Sequence, residues 1–383
     1  MNSKLSNRTK IGRIVTFLAL TFGLSIIFYV KIIKGGEGID PWVLPLMLCP
    51  ATSAILTKLI FDRNLKGLGW KPGPAKWLGL AYLLPILYGA VVYGIVWLVG
   101  LGGFTTEAAA ELASQLGMSN ASVVQMVVVY ALLWGTFVFL KGALPGAFGE
   151  ELGWRGFLFP ELQRMTSFTT ASLIGGIVWA LWHLPLILFS DYNSTAPRAF
   201  VVVMFFISIM ARSFLHNWFR ARSGSVWPNV FLHASHNIFF LHVFDPLMAR
   251  YPLTDFFVTE SGVLLMVIQV LMVLYIWAHR DELPGHFITD SNLTGRGFAF
   301  IRPSQSQTIR PAVFRHRYIC WERRITPGIV DGRAALKTYF GRLVCFRTGI
   351  QWYMITLSAP GAVAHVWSAV LRVLGGGPQP QAV

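Results

Sequence analysis

The chain has 383 residues, of which 54% are hydrophobic and 13% charged, with a net charge of +15. A soluble domain carries about 25% charged residues, so the composition excludes an ordinary soluble globular protein. What remains is a polytopic membrane protein with a basic excess to be placed along the chain.

Apolar stretches define the predicted elements. Residues 14–30, 41–57, 77–106, 112–140, 165–190, 223–244 and 261–278 contain no Asp, Glu, Lys or Arg. Each reaches the roughly 17 residues a helix needs to cross about 30 Å of hydrocarbon. An eighth stretch, 198–218, is interrupted by Arg212 but is otherwise apolar. The expectation is an all-α fold of about eight transmembrane helices around an intramembrane active-site cavity. The first run is too long for a signal peptide and no small-residue cleavage site follows it. Residues 105–117 are Ala-rich with acidic groups early and read as a short helix outside the membrane. Residues 66–74, rich in Gly and Pro, read as a loop.

Lys and Arg in the short loops set the orientation. Lys4, Arg8, Lys10 and Arg13 precede the first span, Arg63, Lys66, Lys71 and Lys76 follow the second, and Arg220 and Arg222 follow the sixth. The opposite loops hold Glu107 and Glu111, Asp191 with Arg198, and Asp245, Asp255 and Glu260. Both termini are therefore expected in the cytoplasm, as an even helix count requires. The protein is expected in the cell (plasma or inner) membrane.

The character changes at Pro284-Gly285. Residues 286–383 hold 11 Arg and one Lys against three acidic residues, +9 of the net charge. They show no clear helical periodicity. The domain reading is a membrane domain over 1–285 and a basic C-terminal extension over 286–383, disordered or foreign to the membrane fold. Cys49, Cys320 and Cys345 have no metal-ligand spacing, and no disulfide framework is implied.

Charged groups at bilayer depth cost on the order of 3 kcal/mol each and usually face an internal cavity. Glu150, Glu151 and Arg155 are such groups. Glu151 and Arg155 are spaced i, i+4 and can pair as a brace. Glu150 points roughly 100° away, which leaves it as the unpaired carboxylate and a general base. His183 has Trp179 one turn earlier on its face. His233 and Asn237 are again i, i+4 and can donate together to an oxyanion. His236 is an alternative to His233, while His216 and His242 read as interfacial.

These three patterns, Glu-Glu-x-x-x-Arg, aromatic-x-x-x-His and His-x-x-x-Asn, resemble the CAAX prenyl protease and bacteriocin-processing (Abi) family of intramembrane proteases. The resemblance covers about residues 10–283 and includes Leu68-Gly-Trp-Lys-Pro72. Trp179 stands where the family often has Phe, and the extension after 285 has no family counterpart. The resemblance implies endopeptidase activity inside the membrane. Glu150 and His183 would activate water, His233 and Asn237 would steady the oxyanion, and Glu151, Arg155 and Trp179 would support them. The implied partners are the lipid bilayer and a peptide or protein substrate, lipidated or of bacteriocin-leader type, with no nucleic acid.

Glu150, His183 and His233 are also chemically able to hold a divalent metal such as zinc with a water at an open position, although no HExxH motif is present. The balance leans to metal-free water activation. Two other functions use the same residue types. A proton-coupled transporter would relay protons through intramembrane Glu and His. A catalytically idle scaffold or immunity protein would keep the fold without hydrolysis.

Overall fold

The computed structural model describes residues 7–35, 41–118, 120–190 and 196–284. The extension 286–383, with Cys320 and Cys345, lies outside the described residues. In chain order the elements are α1 (Asn7–Gly35), α2 (Val43–Asp62), α3 (Ala75–Leu98), β1 (Gly102–Phe104), α4 (Glu107–Gln115) and α5 (Val123–Gln163). Then follow α6 (Phe168–Phe189), α7 (Arg198–Ser223), α8 (Trp227–Ser235), β2 (Met248–Arg250), α9 (Thr254–Phe257) and α10 (Val263–Ala278). β1 and β2 pair antiparallel, Phe104 opposite Met248. This is an all-α, multi-pass integral membrane protein.

Among the described residues six helices, α1, α2, α3, α5, α6 and α7, are long and apolar enough to cross a membrane. The two other expected spans differ for distinct reasons. α10 has only 16 residues, because the segment before it folds inward, burying Thr254, Asp255, Thr259, Glu260 and Ser261. α8 carries His233 and continues through His236–Phe244 as a π-helix. A search for absent formal charge counts imidazoles and amides as neutral and so overestimates how apolar this helix is. The expected span 112–140 also begins too early. α4 occupies its first residues, and α5 starts at Val123 behind Ser122, whose hydroxyl accepts from the Gln125 N–H in a capping box.

α5 is 41 residues long and carries the Glu-Glu motif. It is α-helical at its start, π-helical over Trp134–Ala143, α-helical over Leu144–Glu151 and π-helical again over Leu152–Leu158. π-turns are rare and are frequently found at functional sites. Here one begins directly after the two glutamates.

Glycines set the depth at which α5 packs. A Cβ on Gly149 would lie 2.4 Å from the Met47 carbonyl oxygen, and one on Gly153 would lie 2.4 Å from Pro50 Cβ and 2.8 Å from its oxygen. Spaced four apart, the two let the α2 backbone approach the Glu150–Glu151 turn, as small-xxx-small pairs do between membrane helices. Gly153→Ala is expected to lower the thermal midpoint in detergent, with overpacking costing about 1–3 kcal/mol. An unchanged midpoint would show that α2 can move aside.

One pole of the bundle is tied by Arg13. Counted from sequence as a loop charge, it is 1% exposed. Its Nη2 donates to Asp62 Oδ2 and to Glu161 Oε1, each at 2.9 Å, which joins α1, α2 and the end of α5.

Candidate active site

Glu151 is the most enclosed of the site groups, at 0% exposure. Arg155 Nη1 donates to its Oε1 at 3.0 Å. His233 Nδ1 lies 2.9 Å from the same oxygen, and His216 Nδ1 lies 3.3 Å from Oε2. A carboxylate accepts, so both imidazoles donate through Nδ1. Helices α5, α7 and α8 thus meet at one carboxylate. His216, read from the sequence as interfacial, is buried at 2%. It lies one turn after Arg212 on α7, and that i, i+4 pairing of Arg with His inside an apolar run was the signal for it.

Glu150 does have hydrogen-bond partners. Trp179 Nε1 donates to Glu150 Oε2 at 2.8 Å, and Trp154 Nε1 reaches the same oxygen at 3.4 Å. Among the described residues the carboxylate has no salt bridge of its own, but it is not the unpaired group the helical geometry suggested. Periodicity places a side chain on a face and carries no information about donors arriving from another helix.

His183 Nδ1 is 3.0 Å from the Trp179 carbonyl oxygen. The carbonyl accepts, so in the neutral ring the lone pair is on Nε2. The imidazole packs against Trp182 and Phe205. It lies within the field of the Glu150 and Glu260 carboxylates and of Arg212.

His236 turns away from the Glu151 group. Its Nδ1 is 2.6 Å from the Tyr88 hydroxyl, and its Nε2 is 3.2 Å from Glu260 Oε1. Arg212 Nη1 donates to that same Glu260 oxygen at 2.8 Å. The sequence reading put Glu260 in an acidic loop and Arg212 as a lone interruption of a span. Both are buried, and they neutralise each other. Thr259, next to Glu260, holds a left-handed φ of 68°, a conformation that costs a non-glycine residue about 1–3 kcal/mol. Tyr88 and Glu260 were absent from the sequence-level site because their neighbours come from distant segments, whereas Trp154 lies one turn after Glu150 and its spacing could have shown it.

Asn237 is half-buried on the π-helical continuation of α8. Its amide makes no hydrogen bond to another described residue. The wider π turn shifts it from the full-turn alignment with His233 that an α-helix would give. His242 is exposed and stacks on Trp134 with ring centroids 4.8 Å apart.

A metal held by Glu150, His183 and His233 would be met by Glu150 Oε1 and the two Nε2 atoms. Two indoles occupy one Glu150 oxygen, and Glu151 and a backbone carbonyl take the Nδ1 atoms of His233 and His183. Among the described residues no group of three or more His, Cys, Asp or Glu is arranged to hold a metal ion.

Bundle and site together define a multi-pass membrane protein holding carboxylates, imidazoles and a guanidinium in its interior. Residues 131–239 match the family model described as type II CAAX prenyl endopeptidase, Rce1-like, and over this segment the chain is similar to the CAAX prenyl protease and bacteriocin-processing family. Over 128 residues it is 30% identical to CAAX prenyl protease 2 of Methanococcus maripaludis, a similarity that covers 32% of this chain and 45% of that relative. The chain thus matches just under half the length of the relative. The family match contains Glu150, Glu151, Arg155, Trp179, His183, His233 and Asn237 and ends before Glu260.

Proposed function

We propose that the protein is an intramembrane endopeptidase that hydrolyses peptide bonds of membrane-associated substrates, with lipidated CAAX-type peptides as the first class to test. The observation that carries this reading is the Glu150 carboxylate. It is buried within the family-matched segment, bonded among the described residues through one oxygen only, and shares Trp179 as a neighbour with His183.

Glu150 accepts a proton from water as general base, and His183, with its lone pair on Nε2, positions that water or takes over the proton. The hydroxide so formed adds to the scissile carbonyl. His233 and the Asn237 amide donate to the developing oxyanion. With Nδ1 committed to Glu151, His233 donates from Nε2 only as the imidazolium, whose charge Glu151 balances. Collapse of the intermediate returns a proton from Glu150 or His183 to the leaving amine. Glu151, Arg155 and His216 keep His233 in place, and no step needs a metal ion. Both termini on the cytoplasmic side would let cytoplasmic substrates enter from the inner leaflet.

The test is cleavage by the purified full chain in detergent. The substrates are a farnesylated peptide ending in a CAAX sequence and the same peptide without the lipid. Cleavage of the farnesylated peptide that survives exhaustive chelation is the expected result. Loss of activity on chelation with recovery on zinc would overturn the metal-free mechanism. Equal rates on the two peptides would remove lipidation from the substrate class. Proton flux in liposomes without any cleavage would favour transport.

A further inference from the structure

We infer that Trp179 is a positioning residue that decides which oxygen of Glu150 meets the attacking water, an assignment that rests on the proteolytic reading above. Trp179 is 2% exposed, and its indole N–H donates to Glu150 Oε2 at 2.8 Å. Trp154, one turn after Glu150 on α5, sends its own N–H to the same oxygen at 3.4 Å. Neither indole bonds to Oε1. A glutamate carboxylate turns readily about its last torsion, which is broad and nearly two-fold. Two donors from different helices, converging on one oxygen, remove that freedom and leave Oε1 as the base oxygen.

The same indole contacts the rest of the site. The Arg155 guanidinium carbon is 4.0 Å from its ring centroid, within cation–π range. The rings of His183, His216 and His233 lie edge-on at 5.9, 5.5 and 5.7 Å. Trp179 therefore bonds to Glu150 and packs on Arg155 and three imidazoles. A phenylalanine here would keep an aromatic ring against these groups and lose the N–H donor.

That difference makes Trp179→Phe the discriminating variant. A hydrogen bond to a charged group is worth enough that its loss is expected to lower kcat about ten- to a hundredfold. KM should stay unchanged, because the substrate does not meet the indole N–H. Trp154→Phe, which removes the longer bond, should lower kcat less. Indole N–H resonances in tryptophan-labelled full chain supply the second readout, with Trp179→Phe and Trp154→Phe assigning the two signals. Glu150→Gln is expected to move the Trp179 signal more than any other. A Trp179 signal unmoved by Glu150→Gln would overturn the hydrogen bond whatever the activity. A moved signal with wild-type kcat in Trp179→Phe, or with an effect on KM alone, would overturn the positioning role. A wild-type chain that cleaves no peptide would sink the proteolytic reading and the role in water activation with it, while the resonances would still decide the bond.

Discussion

Glu150→Gln and His183→Ala are each expected to abolish peptide hydrolysis while the protein still inserts and folds. General acid–base groups contribute about 10²–10⁴-fold, and these two are proposed to act as a unit, so the double variant should be scarcely worse than either single one. Glutamine at 150 keeps the shape and an oxygen acceptor for the two indoles, and it removes only the basic carboxylate. Retained folding should therefore be visible as an unchanged elution profile and thermal midpoint. Near wild-type turnover in either variant would show that another group activates the water. The Glu260–His236 pair, held by Arg212 and Tyr88, would be the next place to look.

Glu151 has the second large expected effect, and it acts on stability before catalysis. Its carboxylate meets Arg155, His216 and His233 at 0% exposure. Removing one partner of a buried ion pair leaves an uncompensated charge and typically costs about 3–5 kcal/mol. Glu151→Ala and Arg155→Ala should each give little folded protein. The hydrophobic pair Glu151→Leu with Arg155→Met should recover part of the yield, since apolar replacement of both partners is often near neutral. That double variant should nevertheless stay inactive, because His233 loses the acceptor at its Nδ1. Thermal midpoints of the two singles and the double measure the coupling. Additive losses would refute the brace and leave Arg155 held by its stacking on Trp179 alone.

The amino-acid sequence by itself determined the class of the protein and the residue types of its site. Uncharged runs are long because a bilayer solvates no backbone and few charges, so membrane helices are legible without tertiary information. Glu150, Glu151 and Arg155 stand out for the same reason, since a charge in an apolar run needs a compensating partner. The i, i+4 link between Glu151 and Arg155 is local geometry and could be read directly. α8 is less apolar and α10 shorter than the uncharged runs alone suggest, because imidazoles count as neutral and because the inward fold of residues 254–262 leaves no local mark. Only the tertiary structure decided the partners. It brought His216 onto Glu151, two indoles onto one oxygen of Glu150, and His236 onto Glu260 rather than toward His233. These contacts join residues 24 to 65 positions apart, apart from the local Trp154 bond. Helical periodicity fixes the face a side chain occupies. Which group arrives opposite it depends on how the helices pack, and Gly149 and Gly153 show that packing at closest range, where α2 comes against the Glu150–Glu151 turn.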